Sequence, residues 1–174
     1  MDVLPQLLLQ TSITEWQAVA RITLAAILGG AIGLEREWRG HPAGLRTNML
    51  VAIGSCLFTL LSIEGFPLRG AAQDTARIAA QVVTGVGFLG AGAVLQTKRG
   101  TWGLTTAATI WMVAALGMAV GVGAYLIAIY TTALTGVVLI LLHPLSERVE
   151  GRGRGADEEE DSDEESRPRR LHRE

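Results

Sequence analysis

Residues 77–96 read RIAAQVVTGVGFLGAGAVLQ and carry two conflicting signals in one stretch. Gly85, Gly87 and Gly90 reproduce the G-x-G-x-x-G spacing of a dinucleotide-binding loop. The same stretch belongs to a run of twenty uncharged residues between Arg77 and Lys98, which is long enough for a helix to cross the hydrocarbon core of a bilayer. The choice between these signals decides whether the chain is a nucleotide-binding enzyme or a membrane protein.

The nucleotide interpretation lacks its chemical partners. A dinucleotide loop needs a strand before it, a helix after it and an acidic residue about 20 positions later for the ribose hydroxyls. No Asp or Glu occurs between Asp74 and Glu147, and the flanking residues continue one apolar span. No nucleophile–base pair or metal-ligand cluster is visible elsewhere, and Cys56 is the only cysteine. We therefore predict a protein that is not an enzyme, has no resident cofactor and binds no nucleic acid.

Other uncharged runs extend the membrane interpretation to the rest of the chain. Seventeen uncharged residues separate Arg46 from Glu64, and forty-seven run from Gly100 to Ser146, interrupted by the turn sequence GVGA at 121–124. The sequence TEWQ at 14–17 fits a capping box that starts the first helix. The prediction is an all-α membrane bundle with five transmembrane helices. Their predicted ranges are 16–34, 45–63, 76–96, 104–121 and 124–142.

The distribution of charge predicts the domain organisation and the orientation. We expect an extracytoplasmic segment at 1–15, a membrane domain at 16–146 and a disordered charged cytoplasmic tail at 147–174, where eleven acids and seven arginines cluster. The start, MDVLPQLLLQ, has no basic region typical of a cleaved signal peptide. Basic residues concentrate in the predicted loops 35–46 and 97–103 and in the tail, so these should be cytoplasmic and the N-terminus outside.

Small residues recur four positions apart in three of the predicted spans. Such pairs let helix backbones approach closely in a membrane. The pairs are Gly29 with Gly33, Gly87 with Ala91, and Gly117 with Gly121. On this interpretation, the glycines of residues 84–92 form a flat helix face against which a neighbouring helix packs.

Polar residues inside the spans predict a polar seam through the bundle, since polar groups in a membrane usually face protein or a cavity. An alternative is that they only form hydrogen bonds between helices. The members are Asn48, Ser55, Thr59 and Ser62 in the second span, Arg77, Gln81 and Thr84 in the third, and Thr105, Thr106 and Thr109 in the fourth.

The end of the first span carries the densest group of charges, in GLEREWRGHPAGLRTNML at 33–50. Glu35 and Glu37 are weak candidates for Mg²⁺ ligands, because that ion prefers carboxylate oxygens. The arginines of this segment can instead bind phosphate or a phospholipid headgroup. A salt-bridged interfacial loop without a ligand is the third interpretation.

Four segments resemble the MgtC/SapB family and together cover roughly residues 20–142. They are GGAIGLERE (29–37), AGLRTNMLVAIGS (43–55), RIAAQVVTGVGFLGAGAVL (77–95) and GLTTAATIWMVAALGMAVGVGAY (103–125). The resemblance marks as motif positions Glu35, Arg36, Gly44, Leu45, Arg46, Thr47, Arg77, Gln81, Gly85, Gly87, Phe88, Gly90, Gly92, Thr105, Thr106 and Trp111. The predicted functional motif comprises Glu35, Arg36, Arg46, Thr47, Arg77, Gln81, Gly85, Gly87, Gly90, Thr105 and Thr106 from this set, together with Asn48 and Thr84 of the polar seam.

The resemblance also implies a function. Members are bacterial inner-membrane proteins associated with growth under magnesium limitation and with envelope stress. The resemblance implies that they regulate other membrane proteins, which in some members include the ATP synthase. The expectation is a regulator in the lipid bilayer that binds another membrane protein and can form homo-oligomers. The alternative is a transporter or channel for Mg²⁺ or another small ion. Longer members carry a folded C-terminal domain where this chain has its acidic tail.

Overall fold

The structure is a computed structural model that describes residues 13–65, 76–97 and 100–142. The described residues are mostly helical, which confirms the predicted helical class. The elements are α1 (Glu15–Trp38), α2 (Leu45–Leu60), α3 (Ala76–Gly92), β1 (Leu95–Thr97), β2 (Gly100–Trp102), α4 (Leu104–Gly121) and α5 (Tyr125–Leu141), with a π-helical turn at Leu61–Gly65 directly after α2. Most of the predicted N-terminal segment and all of the predicted tail at 147–174 lie outside the described residues.

Helix α1 is longer than predicted. The capping box at its start is present. Thr14 Oγ1 accepts from the backbone N–H of Gln17 at 3.4 Å, and the backbone N–H of Thr14 donates to Gln17 Oε1 at 3.0 Å. The helix continues to Trp38 rather than ending at 34. Charge does not end a helix, because Glu and Arg are good helix formers. The acids predicted in a loop at 35–46 therefore lie on the last turns of α1.

Helix α3 is shorter than predicted, ending at Gly92 rather than at 96. The chain instead forms a short antiparallel hairpin in which Leu95 pairs with Trp102. Gly103 then starts α4 with a φ of +89° and lies against the carbonyl oxygen of Ala93, so a side chain there would meet both strain and overlap. The hairpin explains the missing helical turn, while α4 occupies the predicted range.

Helix α2 is the central element, and Ala52 lies at its most crowded point. A Cβ atom added to Gly29 of α1 would lie 2.6 Å from Ala52 Cβ, and one added to Gly117 of α4 would overlap the Ala52 carbonyl oxygen. Gly121 approaches Thr59 in the same way, one turn further along. The small pairs of α1 and α4 therefore both serve close packing against α2.

The third small pair behaves differently. A Cβ atom added at Gly85, Gly87 or Gly92 would meet no other atom within 4 Å, whereas one at Gly90 would lie 3.6 Å from Ala107 Cβ of α4. Phe88 on the same helix is 82% exposed. Within the described part of the chain, no neighbour packs against Gly87, so the predicted neighbouring helix is not among the described helices.

The chain divides into two units, Met1–Thr135 and Gly136–Glu174. The first contains α1 to α4, the hairpin and the start of α5. A core cluster in this unit joins the α1–α2 connection to α3 and α4, through Ala43, Val86, Ile110 and Ala114. In the second unit, the described residues are the end of α5 and Leu142.

Candidate functional site

Arg36 lies almost completely buried at the end of α1, with 2% of its surface exposed. It follows Gly33 by one turn on the packed side of the helix, which carries its side chain inward. Arg36 Nη2 donates to Thr106 Oγ1 of α4 at 3.0 Å, while Arg36 Nε is buried without a hydrogen-bond acceptor among the described residues. A buried guanidinium is costly unless it is paired. We name Glu35, Arg36, Glu37, Arg39, Asn48 and Thr106 the Arg36 cluster.

The two carboxylates of the cluster have separate partners. Glu37 Oε2 accepts from the Leu45 amide at 2.7 Å, which places a negative charge at the N-terminus of α2. Arg39 Nε lies 2.6 Å from Glu35 Oε1, so these two side chains, one helical turn apart, form an ion pair. The pair does not have the geometry of a hydrogen bond. Residues two apart on a helix do not face each other. In the described ranges, no three Asp, Glu, His or Cys side chains are placed so that they could hold a metal ion together. Mg²⁺ binding by Glu35 and Glu37 stays a prediction.

Replacing Glu37 separates a capping role from a metal-binding role. We expect Glu37→Ala to destabilise the protein by about 1 kcal/mol through loss of the α2 cap, and Glu35→Ala to destabilise it as well, because the buried Glu35 carboxylate loses its ion pair with Arg39. The measurement is thermal unfolding in detergent, without Mg²⁺ and with about 10 mM Mg²⁺, a concentration high enough to fill a weak carboxylate site. A Mg²⁺-dependent stabilisation that both substitutions abolish would instead identify a metal site.

Asn48 is the fully buried polar residue that closes the α1–α2 connection. Its Nδ2 atom donates to the carbonyl oxygens of Ala43 at 2.8 Å and Gly44 at 2.9 Å. Both bonds are local, so Asn48 holds the residues before α2 in place. The adjacent motif residues Arg46 and Thr47 are exposed.

The predicted polar seam divides into two groups. The α2 members and two of the α4 members are buried: Asn48, Ser55, Thr59, Ser62, Thr106 and Thr109. Thr59 and Thr109 donate to the carbonyl oxygens four residues earlier in their own helices, at 2.8 and 2.7 Å. Arg77, Gln81, Thr84 and Thr105 are exposed. The structure therefore buries the seam residues of the second span and two of those of α4, and it leaves the α3 members and Thr105 exposed.

Arg21 binds groups at the end of α4 and the start of α5. Arg21 Nη1 donates to the Gly121 carbonyl oxygen at 2.7 Å, and Nε donates to the Tyr125 hydroxyl at 2.9 Å. Its guanidinium also lies 5.7 Å from the centroid of the Tyr125 ring. A cation at the C-terminus of α4 is favourable, and only the chain fold brings Arg21 to a carbonyl 100 residues away.

Three helices of the described residues are long and apolar enough to cross a membrane: Glu15–Trp38, Leu45–Glu64 and Leu104–Gly121. The helix Tyr125–Leu141 is apolar but shorter. Trp16 and Trp38, at the two ends of α1, are exposed and lie about 33 Å apart at helical rise. Tryptophan favours the two membrane–water interfaces, which are separated by a core about 30 Å thick. These features define an α-helical membrane protein with several spans.

Comparison with known proteins places this membrane protein in a family. The sequence profile of the MgtC family matches residues 22–148, and the chain belongs to that family. It is 50% identical over 135 residues to the "Putative magnesium transporter YhiD" of Escherichia coli (strain K12), covering 75% of this chain and 63% of that protein. It is 43% identical over 133 residues to the uncharacterized protein slr0014 of Synechocystis, covering 76% of this chain and 55% of that protein.

A third relative is the protein MgtC of Salmonella typhimurium (strain LT2), 40% identical over 131 residues, covering 75% of this chain and 54% of that protein. The chain therefore matches between about half and two thirds of the length of these curated relatives. No solved structure matches the chain.

Proposed function

We propose that the protein is a non-enzymatic regulator in the bacterial inner membrane that supports growth at low Mg²⁺ and under envelope stress by binding another membrane protein. The observation that carries this proposal is the outward face of α3. Ala80, Thr84, Gly87 and Ala91 share one stripe of the helix and are all exposed. Small residues on such a stripe favour close approach of another helix, and the ATP synthase is the candidate partner suggested by the family resemblance.

The proposal includes a topology of five spans, with the N-terminus outside and the C-terminus in the cytoplasm. Helix α3 contains 17 residues, about 25 Å at helical rise, and needs the adjoining residues to reach both interfaces. The exposed Trp38 and Trp102 support this arrangement, because both lie next to the segments that carry the cytoplasmic basic residues of the proposal.

Growth at limiting Mg²⁺ tests the physiological part. A strain lacking the gene should grow poorly at low Mg²⁺, and the wild-type gene should restore growth. Normal growth of the deletion strain over the whole Mg²⁺ range would contradict the proposal.

Replacing Gly87 tests the contact itself. Gly87→Leu adds bulk to the outward face at a position where a Cβ atom would have no neighbour from another element within 4 Å, so the protein should insert and fold normally but lose its crosslink to the partner in native membranes. Gly136→Leu is the matched control, because its Cβ also meets open space. A Gly87→Leu protein that kept both its crosslink and its activity would show that this face is not used, and truncation at Arg148 tests whether the tail binds instead.

A transporter or channel for Mg²⁺ or another small ion is the second candidate. The printed name of the YhiD relative and the buried polar residues of α2 and α4 favour it. Against it, no Asp or Glu lies in the middle of any of the five described helices, and ion pathways through a membrane usually carry such residues. Purified protein in liposomes should give no Mg²⁺ flux under conditions in which a known channel does. Saturable flux would support the transporter.

A further inference from the structure

An open groove of about 460 Å³ lies between α2 and α3. Its lining is almost entirely apolar and includes Gly54 and Phe58 of α2 and Ile78, Gln81, Gly85 and Leu89 of α3. Cβ atoms added to Gly54 or Gly85 would meet no atom within 4 Å. The two glycines therefore keep the groove open rather than bringing the helices together, in contrast to the glycines that pack on α2.

The groove changes its chemistry along α3. Arg77 precedes the first lining residue and is exposed, and Gln81 follows one turn later on the same stripe. The remaining α3 lining residues are apolar or glycine. From Ile78 to Leu89 the groove extends about 16 Å at helical rise, close to the roughly 15 Å thickness of one hydrocarbon leaflet.

We propose that this groove binds one anionic phospholipid, an inference that rests on the proposed topology in which α3 spans the membrane. The order of groups along α3 matches the order within a phospholipid. The Arg77 guanidinium binds the phosphate, the Gln81 amide donates to an ester carbonyl oxygen about 6 Å deeper, and an acyl chain lies along the apolar part between Phe58 and Leu89.

A second copy of the chain fits the groove less well. Subunits of a closed membrane oligomer are related by an axis along the membrane normal, so equivalent residues lie at equal depth. Two copies joined through this face would bring their Arg77 side chains together, and like charges repel. A phosphate at the same place neutralises the charge.

Lipid titration by native mass spectrometry tests the site. The full-length protein in detergent is titrated with phosphatidylglycerol and with phosphatidylcholine of the same acyl chains. Wild type should bind phosphatidylglycerol about fivefold more tightly, the size expected for one cation near an anionic headgroup. Arg77→Gln should remove this preference, and Arg77→Lys should keep it. Gly85→Leu should fill the groove and weaken the binding of both lipids, while Gly136→Leu should leave binding unchanged.

Equal binding of the two lipids by wild type, or an unchanged preference in Arg77→Gln, would overturn the inference. So would a Gly85→Leu protein that retained its lipids but lost a self-association present in wild type, because the occupant would then be a second copy. Labelling of Arg77→Cys in a Cys56→Ala background by a membrane-impermeant thiol reagent tests the proposed topology separately from the lipid site. If position 77 is labelled from outside but wild type shows no lipid preference, only the lipid site is rejected. If position 77 is not labelled from outside, the proposed topology is rejected.

Discussion

Replacing Gly117 by leucine is expected to prevent stable assembly of the α2–α4 pair. A Cβ atom at this position overlaps the carbonyl oxygen of Ala52 and lies 3.0 Å from Ser55 Cβ. The obstacle is the backbone of the central helix, which cannot move without disturbing its contact with Gly29 on the other side. Overpacking of a tight contact costs about 1–3 kcal/mol, and the rigid neighbour should place Gly117→Leu at or above the upper end.

Unfolding in mixed detergent micelles measures this cost. Gly117→Ala provides a graded test, since the added methyl group favours helix by about 1 kcal/mol when nothing opposes it. Destabilisation by alanine at 117, together with no loss of stability in Gly136→Ala, would assign the effect to the contact with Ala52. If Gly117→Leu unfolded at the same detergent fraction as wild type, the close approach of α4 to α2 would be incorrect.

Replacing Thr106 by valine is expected to give the second large effect, through Arg36. Valine has nearly the shape of threonine but cannot accept the hydrogen bond from Arg36 Nη2. A buried donor that loses its acceptor costs about 1–3 kcal/mol, with the upper values for charged groups. The expected result is a clear loss of thermal stability and a matching loss of growth complementation at low Mg²⁺.

Two neighbouring substitutions serve as controls for Thr106. Thr106→Ser keeps the hydroxyl and should retain most of the stability. Thr105→Val removes a hydroxyl from the preceding, exposed position and should change stability by less than about 0.5 kcal/mol. If Thr105→Val and Thr106→Val had equal effects, the contact between α1 and α4 would not explain the result.

The sequence by itself predicted the five helices of this protein, though not the hairpin after α3, because the helices depend on local properties. Uncharged runs of bilayer length predicted the helices, a capping box predicted the start of α1, and GVGA predicted the turn before α5. The missing acidic residue after Gly90 argued against a nucleotide loop. The motif segments indicated the family, which the matching profile confirmed. Each inference needed only residues near one another in the chain.

Partner choice depended on tertiary structure, because periodicity shows which residues share a face but not what covers that face. Three small pairs had the same spacing, yet two pack on α2 and the third is open. Arg21 and Arg36 both lie within α1, yet Arg21 binds the end of α4 and a tyrosine, whereas Arg36 is buried against Thr106. The contacts of both arginines join residues 70 or more positions apart, so only the folded chain selects between them.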